Sequence, residues 1–175
     1  MLIIKDVKFS RRRHCLAVKK NNNPKDKNKK YLLILPCSKQ KKKLYGACAL
    51  ELYDGPYYRV VRKNQPQNLD ILILSAKYGL IRSDNLISHY DQIMTPKRAE
   101  ELANEIMVKL ERTFRTEDYD EVFINLGKKY MLALDESKNI LDEHNVNWAN
   151  GQIGERLHQL KTWLSAIIAK ERLVS

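Results

Sequence analysis

Cys37 and Lys41 stand four residues apart in the segment PCSKQKKK (36–43), directly after the apolar run YLLIL. A thiol attacks as its thiolate, a form favoured by neighbouring cations and by a helix N-terminus. A lysine attacks only as the neutral amine, so its reference pKa of about 10.4 must fall through desolvation or through nearby cations. Lys39, Lys42 and Lys43 are such cations. Either Cys37 or Lys41 can therefore form a covalent adduct with an electrophilic carbon. The competing reading makes Cys37 a small packing residue in a tight turn, with the lysines as a solvated face or as phosphate contacts.

Further groups with usable chemistry lie in three other segments. In SAKYG (75–79), Ser75, Lys77 and Tyr78 offer a hydroxyl, an ammonium and a phenol, while Gly79 allows the positive φ that turns the chain back. His89, Tyr90 and Asp91 follow. Histidine titrates near neutrality and a carboxylate can serve as general acid or base, while Tyr90 is expected to pack. NLGKKY (125–130) brings Gly127 and Tyr130, and NGQIGER (150–156) brings Gly151, Gly154 and Glu155, whose backbone amides could approach an anionic or polar ligand. The last segment is neither a Walker loop nor a dinucleotide fingerprint. Glu155 in the first turn of a helix is equally explained by the helix dipole. His14, His144 and His158 share no ligand spacing with Cys, Asp or Glu, and Cys15, Cys37 and Cys48 fit neither a zinc site nor a disulfide framework, so no metal or cofactor is implied.

Three runs rich in Leu, Ile and Val would place these groups: YLLILP (31–36), LDILILS (69–75) and DEVFINL (120–126). Each is nearly continuous in apolar residues, as strands covered on both faces are. Between them, Thr95 and Pro96 predict a helix start, and Ala99, Leu102, Ala103, Ile106, Met107, Leu110 and Phe114 recur along one face. A second stripe, Ile153, Leu157, Leu160, Leu164, Ile167 and Ile168, predicts a C-terminal helix, with Trp163 beside it. Alternating strands and helices imply an α/β three-layer sandwich around a mainly parallel sheet. Functional groups in such sheets gather at the carboxyl ends of the strands. The PCSK, SAKYG and NLGKKY turns should therefore meet at one edge, with Ser38 and Lys39 beside Cys37.

The 175-residue chain carries a net charge of +11 that is unevenly spread. Residues 1–43 hold 15 Lys/Arg against 2 Asp/Glu, and the remainder holds 17 against 19. We read residues 1–30 as a basic N-terminal extension and linker, with a possible hairpin, and residues 31–175 as one α/β domain. Arg11, Arg12, Arg13, Lys19 and Lys20 are candidate nucleic-acid contacts, since a basic arm can follow a phosphate backbone through counterion release. A solubilising tail explains the same charge. No apolar run reaches the roughly 18 residues of a membrane span and no signal peptide opens the chain, which predicts a cytoplasmic protein without a membrane partner.

The succession PCSKQK, ALELYDGPYY, ILSAKYGLIRSDNLISHYD, NLGKKY and NGQIGERLHQL resembles an uncharacterised α/β family. That family carries Cys-Ser-x-x-Lys, Leu-Ser-Ala-Lys-x-Gly-Leu and Ile-Gly-Glu motifs, and the resemblance spans roughly residues 31–165. It brings no established activity. PCSKQK is also distantly similar to the Pro-Cys-x-x-x-Lys turn of the archaeosine synthase catalytic domain, whose fold is similar to uracil-DNA glycosylases. This implies a lysine nucleophile at Lys41 acting on the nitrile of a 7-deazaguanine base, although the chain continues Lys42-Lys43-Leu44-Tyr45 where that enzyme has Pro-Tyr. The expectation is an enzyme modifying a nucleobase, a nucleotide or a base within nucleic acid, with Cys37, Lys41 and Asp91 as its reacting groups. A non-catalytic nucleic-acid-binding or interaction module is the alternative.

Overall fold

The structure, a computed structural model, describes residues 29–44 and 46–174. The three apolar runs form strands β1 (Tyr31–Pro36), β3 (Leu69–Ser75) and β6 (Glu121–Ile124). Two shorter strands join them, β4 (Gly79–Arg82) and β7 (Val146–Trp148), giving the order β4-β3-β1-β6-β7. Strands β3, β1, β6 and β7 run parallel, while β4 is an antiparallel edge strand folded back on β3 through Ser75↔Gly79. A separate two-residue ladder pairs β2 (Ala47–Cys48) with β5 (Leu86–Ile87).

Because side chains alternate along a strand, each central strand feeds two cores. Leu33, Leu35, Ile71, Ile73 and Phe123 face α1 (Ala49–Leu52), α2 (Pro56–Lys63) and α6 (Ile153–Val174). Leu32, Ile34, Leu72, Leu74, Val122 and Ile124 face α3 (Pro96–Thr116) and the segment after β6. That segment comprises α4 (Lys128–Met131), a 3-10 turn (Leu132–Ser137) and α5 (Lys138–Asp142). The result is the three-layer α/β arrangement with a mainly parallel sheet.

Helix α3 begins where its sequence indicates. Thr95 Oγ1 accepts the amide of Arg98 at 3.1 Å, Pro96 opens the first turn, and Ala99, Leu102, Ala103, Ile106 and Leu110 are buried. On α6 the stripe holds from Leu160 through Leu164 and Ile167, and Trp163 stacks on Phe123 with centroids 4.9 Å apart. Ile153, at the start of that stripe, is exposed. Among the described residues no helix is long and apolar enough to cross a membrane.

Candidate active site at the carboxyl edge of the sheet

The ladder continues past the ends of the strands. Cys37 N donates to Leu74 O at 2.9 Å, and Asn125 N donates to Ile34 O at 3.0 Å. Extending the register Pro36↔Leu74 and Ile34↔Ile124 sets Cys37 level with Ser75 on one side and Gly127 on the other. Ser75 and Asn125 continue the alternation of Ile73 and Phe123 on the α1/α2/α6 face, while Cys37, in its turn, packs against the clusters on both faces. A thiol, a hydroxyl and a carboxamide thus end three adjacent parallel strands.

Tyrosines surround this row. Tyr90 OH lies 2.8 Å from Ser75 Oγ and 2.6 Å from Tyr53 OH, and Tyr53 OH is 3.4 Å from the same Ser75 oxygen. Ser75 Oγ also accepts the amides of Lys77 at 3.3 Å and Tyr78 at 3.2 Å, which folds the SAKYG turn over its own hydroxyl. Tyr58 OH donates to Pro36 O at 2.8 Å and holds the start of the cysteine turn. From α4, Tyr130 OH lies 3.2 Å from Cys37 Sγ. Ser38 packs on Gly55, where a β-carbon would sit only 2.7 Å from its Oγ.

Burial sets the electrostatics of this cluster. The Tyr53 phenol is pushed up to about 12, mainly by desolvation, against the hydrogen bonds from Ser75 and Tyr90 that pull the other way. Desolvation likewise raises Tyr58, Tyr90 and Tyr130 well above the ordinary phenol range, and charge on Cys37 raises all three further. At neutral pH these phenols are therefore proton donors and not bases. Lys41 pairs with Tyr53 in an isolated antiparallel bridge, and its Nζ lies 4.1 Å from the centroid of Tyr90 and 5.8 Å from that of Tyr53. Burial lowers its pKa, while the charges of Cys37 and Asp91 pull it back up. The rings favour the ammonium as well, so desolvation is the influence that works toward the neutral amine.

Residues 32–162, which carry every turn described above, match a family of unknown function, DUF6884. The chain belongs to that family. No curated protein matches it. Among solved structures, this DUF6884 chain is similar to the crystal structure of AF0587, a protein of unknown function, with a TM-score of 0.50 and 15% identity. The similarity covers 78% of this chain and 44% of that one, so the present chain spans less than half the length of AF0587 and shares its fold.

In the DUF6884 fold the first three turns come together, and Cys37, Ser38, Lys41, Ser75, Tyr78, Gly79, Gly127 and Tyr130 lie on one rim. Tyr78 packs edge-on against Tyr90, with centroids 5.3 Å apart, and its OH approaches Ser88 O at 3.4 Å. Lys77 is exposed, with Nζ 5.1 Å from the Tyr78 centroid and 5.6 Å from that of Tyr90. Lys39 and Asp91 are exposed at the entrance, where Asp91 acts on Lys41 through its charge. The fourth turn behaves differently. Glu155 accepts the amide of Gln152 at 2.6 Å, Asn150 is tied through both backbone groups to Gln159, and Gly151, Gly154 and Glu155 are exposed. The amides of Asn150 and Gln152 in that turn are thus taken by the helix's own side chains, and α6 sends Arg156 toward Gly127.

Arg11, Arg12, Arg13, Lys19 and Lys20, together with the possible hairpin, lie outside the described residues. His89 lines an open depression of about 480 Å³ with Lys43, Leu44, Gly46 and Ser88, outside the tyrosine cluster. Among the described residues no group of three or more His, Cys, Asp and Glu could hold a metal ion. Sequence reasoning missed Tyr53, Tyr57, Tyr58, Asn125 and Arg156 as site residues, and took Tyr90 only as packing. The tyrosine-rich LYDGPYY segment (52–58) and the position of Asn125 at the end of the third apolar run were the signals available for most of them.

Proposed function

We propose that this chain is an enzyme that modifies a nucleobase, free or within a nucleotide or nucleic acid, using Cys37 and Lys41 at the carboxyl edge of the sheet. The observation that carries this reading is Lys41 itself: a half-buried amine with a lowered pKa, resting on the face of Tyr90 and sharing its turn with a thiol. Desolvation against neutral rings is how a lysine gains a neutral, nucleophilic fraction. Attack of either Cys37 Sγ or Lys41 Nζ on an electrophilic ring or nitrile carbon would place negative charge on the attached heteroatom. The protonated phenols of Tyr90 and Tyr130 are suited to donate to that charge. Asp91, exposed and electrostatically linked to Lys41, is the candidate to take up the proton. The substrate class rests on the resemblance of PCSKQK to the archaeosine synthase turn, and flat ligands suit a rim bearing Tyr78 and Tyr90.

The test is chemical labelling of the full chain with a thiol-directed and an amine-directed electrophile, with and without guanine or 7-deazaguanine. Selective modification of Cys37 or Lys41, suppressed by the base, is the expected result. If Cys37 reacts no faster than free cysteine and neither base protects, the enzyme reading fails. Nucleic-acid binding that falls steeply with salt and is unchanged by Cys37→Ser would then favour the binding module.

A further inference from the structure

Beside the Cys37 turn lies a second group of polar side chains that the covalent chemistry does not use. Arg156, in the first turns of α6, has Nε and Nη1 buried without a hydrogen-bond partner among the described residues. Its guanidinium carbon lies 5.8 Å from the centroid of the Tyr57 ring, and Nη1 would be 3.6 Å from a β-carbon placed on Gly127. Among the described residues Tyr57 OH is also buried and unpartnered. Asn125 is 0% exposed, and among the described residues neither its amide nitrogen nor its amide oxygen has a partner. Three elements thus deliver unpaired polar groups to one face of the sheet: β6 with Asn125, α2 with Tyr57 and α6 with Arg156.

Buried polar groups are almost always paired, and a buried cation without a counter-charge is costly to keep. A row of such groups at a strand end therefore marks a place where a ligand completes the bonding. The available groups are mostly donors: the N–H of Nε and the NH2 of Nη1 on Arg156, a phenol O–H and an amide NH2. Such donors suit an acceptor with several oxygens and negative charge, as a phosphate is. Absence of a side chain at Gly127 leaves the approach to Nη1 open.

We propose that Arg156, Tyr57 and Asn125 form a phosphate-binding subsite next to the Cys37 turn, taking a phosphoryl group of a nucleotide or of a nucleic-acid backbone. The role of this phosphate as the anchor of a substrate rests on the nucleobase reading above. The anion site itself does not.

The site is tested by calorimetric titration of the full-length chain with inorganic phosphate, guanosine monophosphate, guanosine and a short single-stranded oligonucleotide, against chloride at equal ionic strength. Phosphate and the phosphorylated ligands should bind, guanosine should bind more weakly than its monophosphate, and Arg156→Gln should lose about ten- to hundredfold in affinity for every phosphorylated ligand. Tyr57→Phe keeps the ring that supports Arg156 and should lose about threefold to tenfold, which guards against a folding defect in the arginine variant. Tighter binding of the monophosphate than of the oligonucleotide supports the site with a free nucleotide as its source, and the reverse order supports it with a polymer. Phosphate that binds no better than chloride, or unchanged affinities in both variants, overturns it. Phosphate binding that persists while labelling at Cys37 and Lys41 is unprotected by any base would remove the proposed chemistry and leave this subsite standing.

Discussion

At the scale of single residues, the decisive balance is that of Lys41. Burial lowers its pKa, and the carboxylate of Asp91 and the charge of Cys37 oppose the shift. Acylation of Lys41 should therefore reach half its maximal rate at a lower pH than a free lysine side chain. Asp91→Asn removes one opposing charge and should move that profile further down, as read by mass spectrometry across a pH series; an unmoved profile would dissociate Asp91 from Lys41. Cys37 and Ser75 were legible because each terminates an apolar run, and parallel pairing of those runs brings the two ends level. The partners of Ser75 were not. Tyr53 lies 22 residues before it and Tyr90 15 after it, and nothing in local spacing says that two phenols will fold back onto one hydroxyl. Glu155 and Arg156 illustrate a different limit: adjacent positions on a helix point about 100° apart, and only the docking angle of α6 decides which one reaches Gly127.

At the scale of elements, long periodic segments were readable and short ones were not. The 21-residue α3 announces itself through its cap, its proline and its stripe. Strands β4 and β7 have four and three residues, too few for a period-two pattern to stand out from a loop. What marks the β3–β4 hairpin is Gly79, with φ of +67° opposite Ser75. A β-carbon there would also lie 2.7 Å from Glu105 Oε1, a flexible carboxylate that can move. Gly79→Ala should therefore destabilise the protein by about 1–2 kcal/mol, chiefly through backbone strain, and loosen the SAKYG turn. Gly154→Ala is the control. It meets nothing within 4 Å and sits inside α6, so it should be neutral or stabilising by up to about 1 kcal/mol. Urea denaturation of the pair measures the contrast, and equal midpoints would rule out strain at Gly79.

At the scale of the whole molecule, the tyrosine-rich rim at the carboxyl edge has a charged clamp as its counterpart at the amino edge. Lys30 N donates to Asp120 at 2.7 Å, Asp120 N returns a bond to Lys30 O at 2.9 Å, and Lys30 Nζ pairs with Asp70 at 3.0 Å and with Glu117. Tyr119 OH adds a bond to Asp70 at 2.8 Å. Composition located the basic first quarter of the sequence, but not the clamp, whose acidic members come from two segments far along the chain, one holding Asp70 and the other Glu117 and Asp120. Burial tends to raise the Asp70 pKa, yet Tyr119 and Lys30 outweigh it and hold the carboxyl below the usual range. Its contribution to stability is therefore present above the unfolded value of about 3.9 and is lost as pH falls through the lower, folded one. For Lys30 the sign is reversed. Burial lowers its pKa, Glu117 and Asp70 raise it by more, and the stabilisation is full below about 10.4 and lost as pH climbs through the folded value. Lys30→Met leaves the Asp70 carboxylate with the Tyr119 hydrogen bond and the charge of Arg82 and should cost about 2 kcal/mol at pH 7. Protonation of Asp70 in acid removes the charge that Lys30 answers, so the gap between variant and native protein should begin to narrow below about pH 3.9 and close as pH falls through the lower folded value. Denaturant titrations at pH 7 and pH 3 compare the two directly, and an equal loss at both would show that Lys30 contributes through packing of its aliphatic chain and not through its charge.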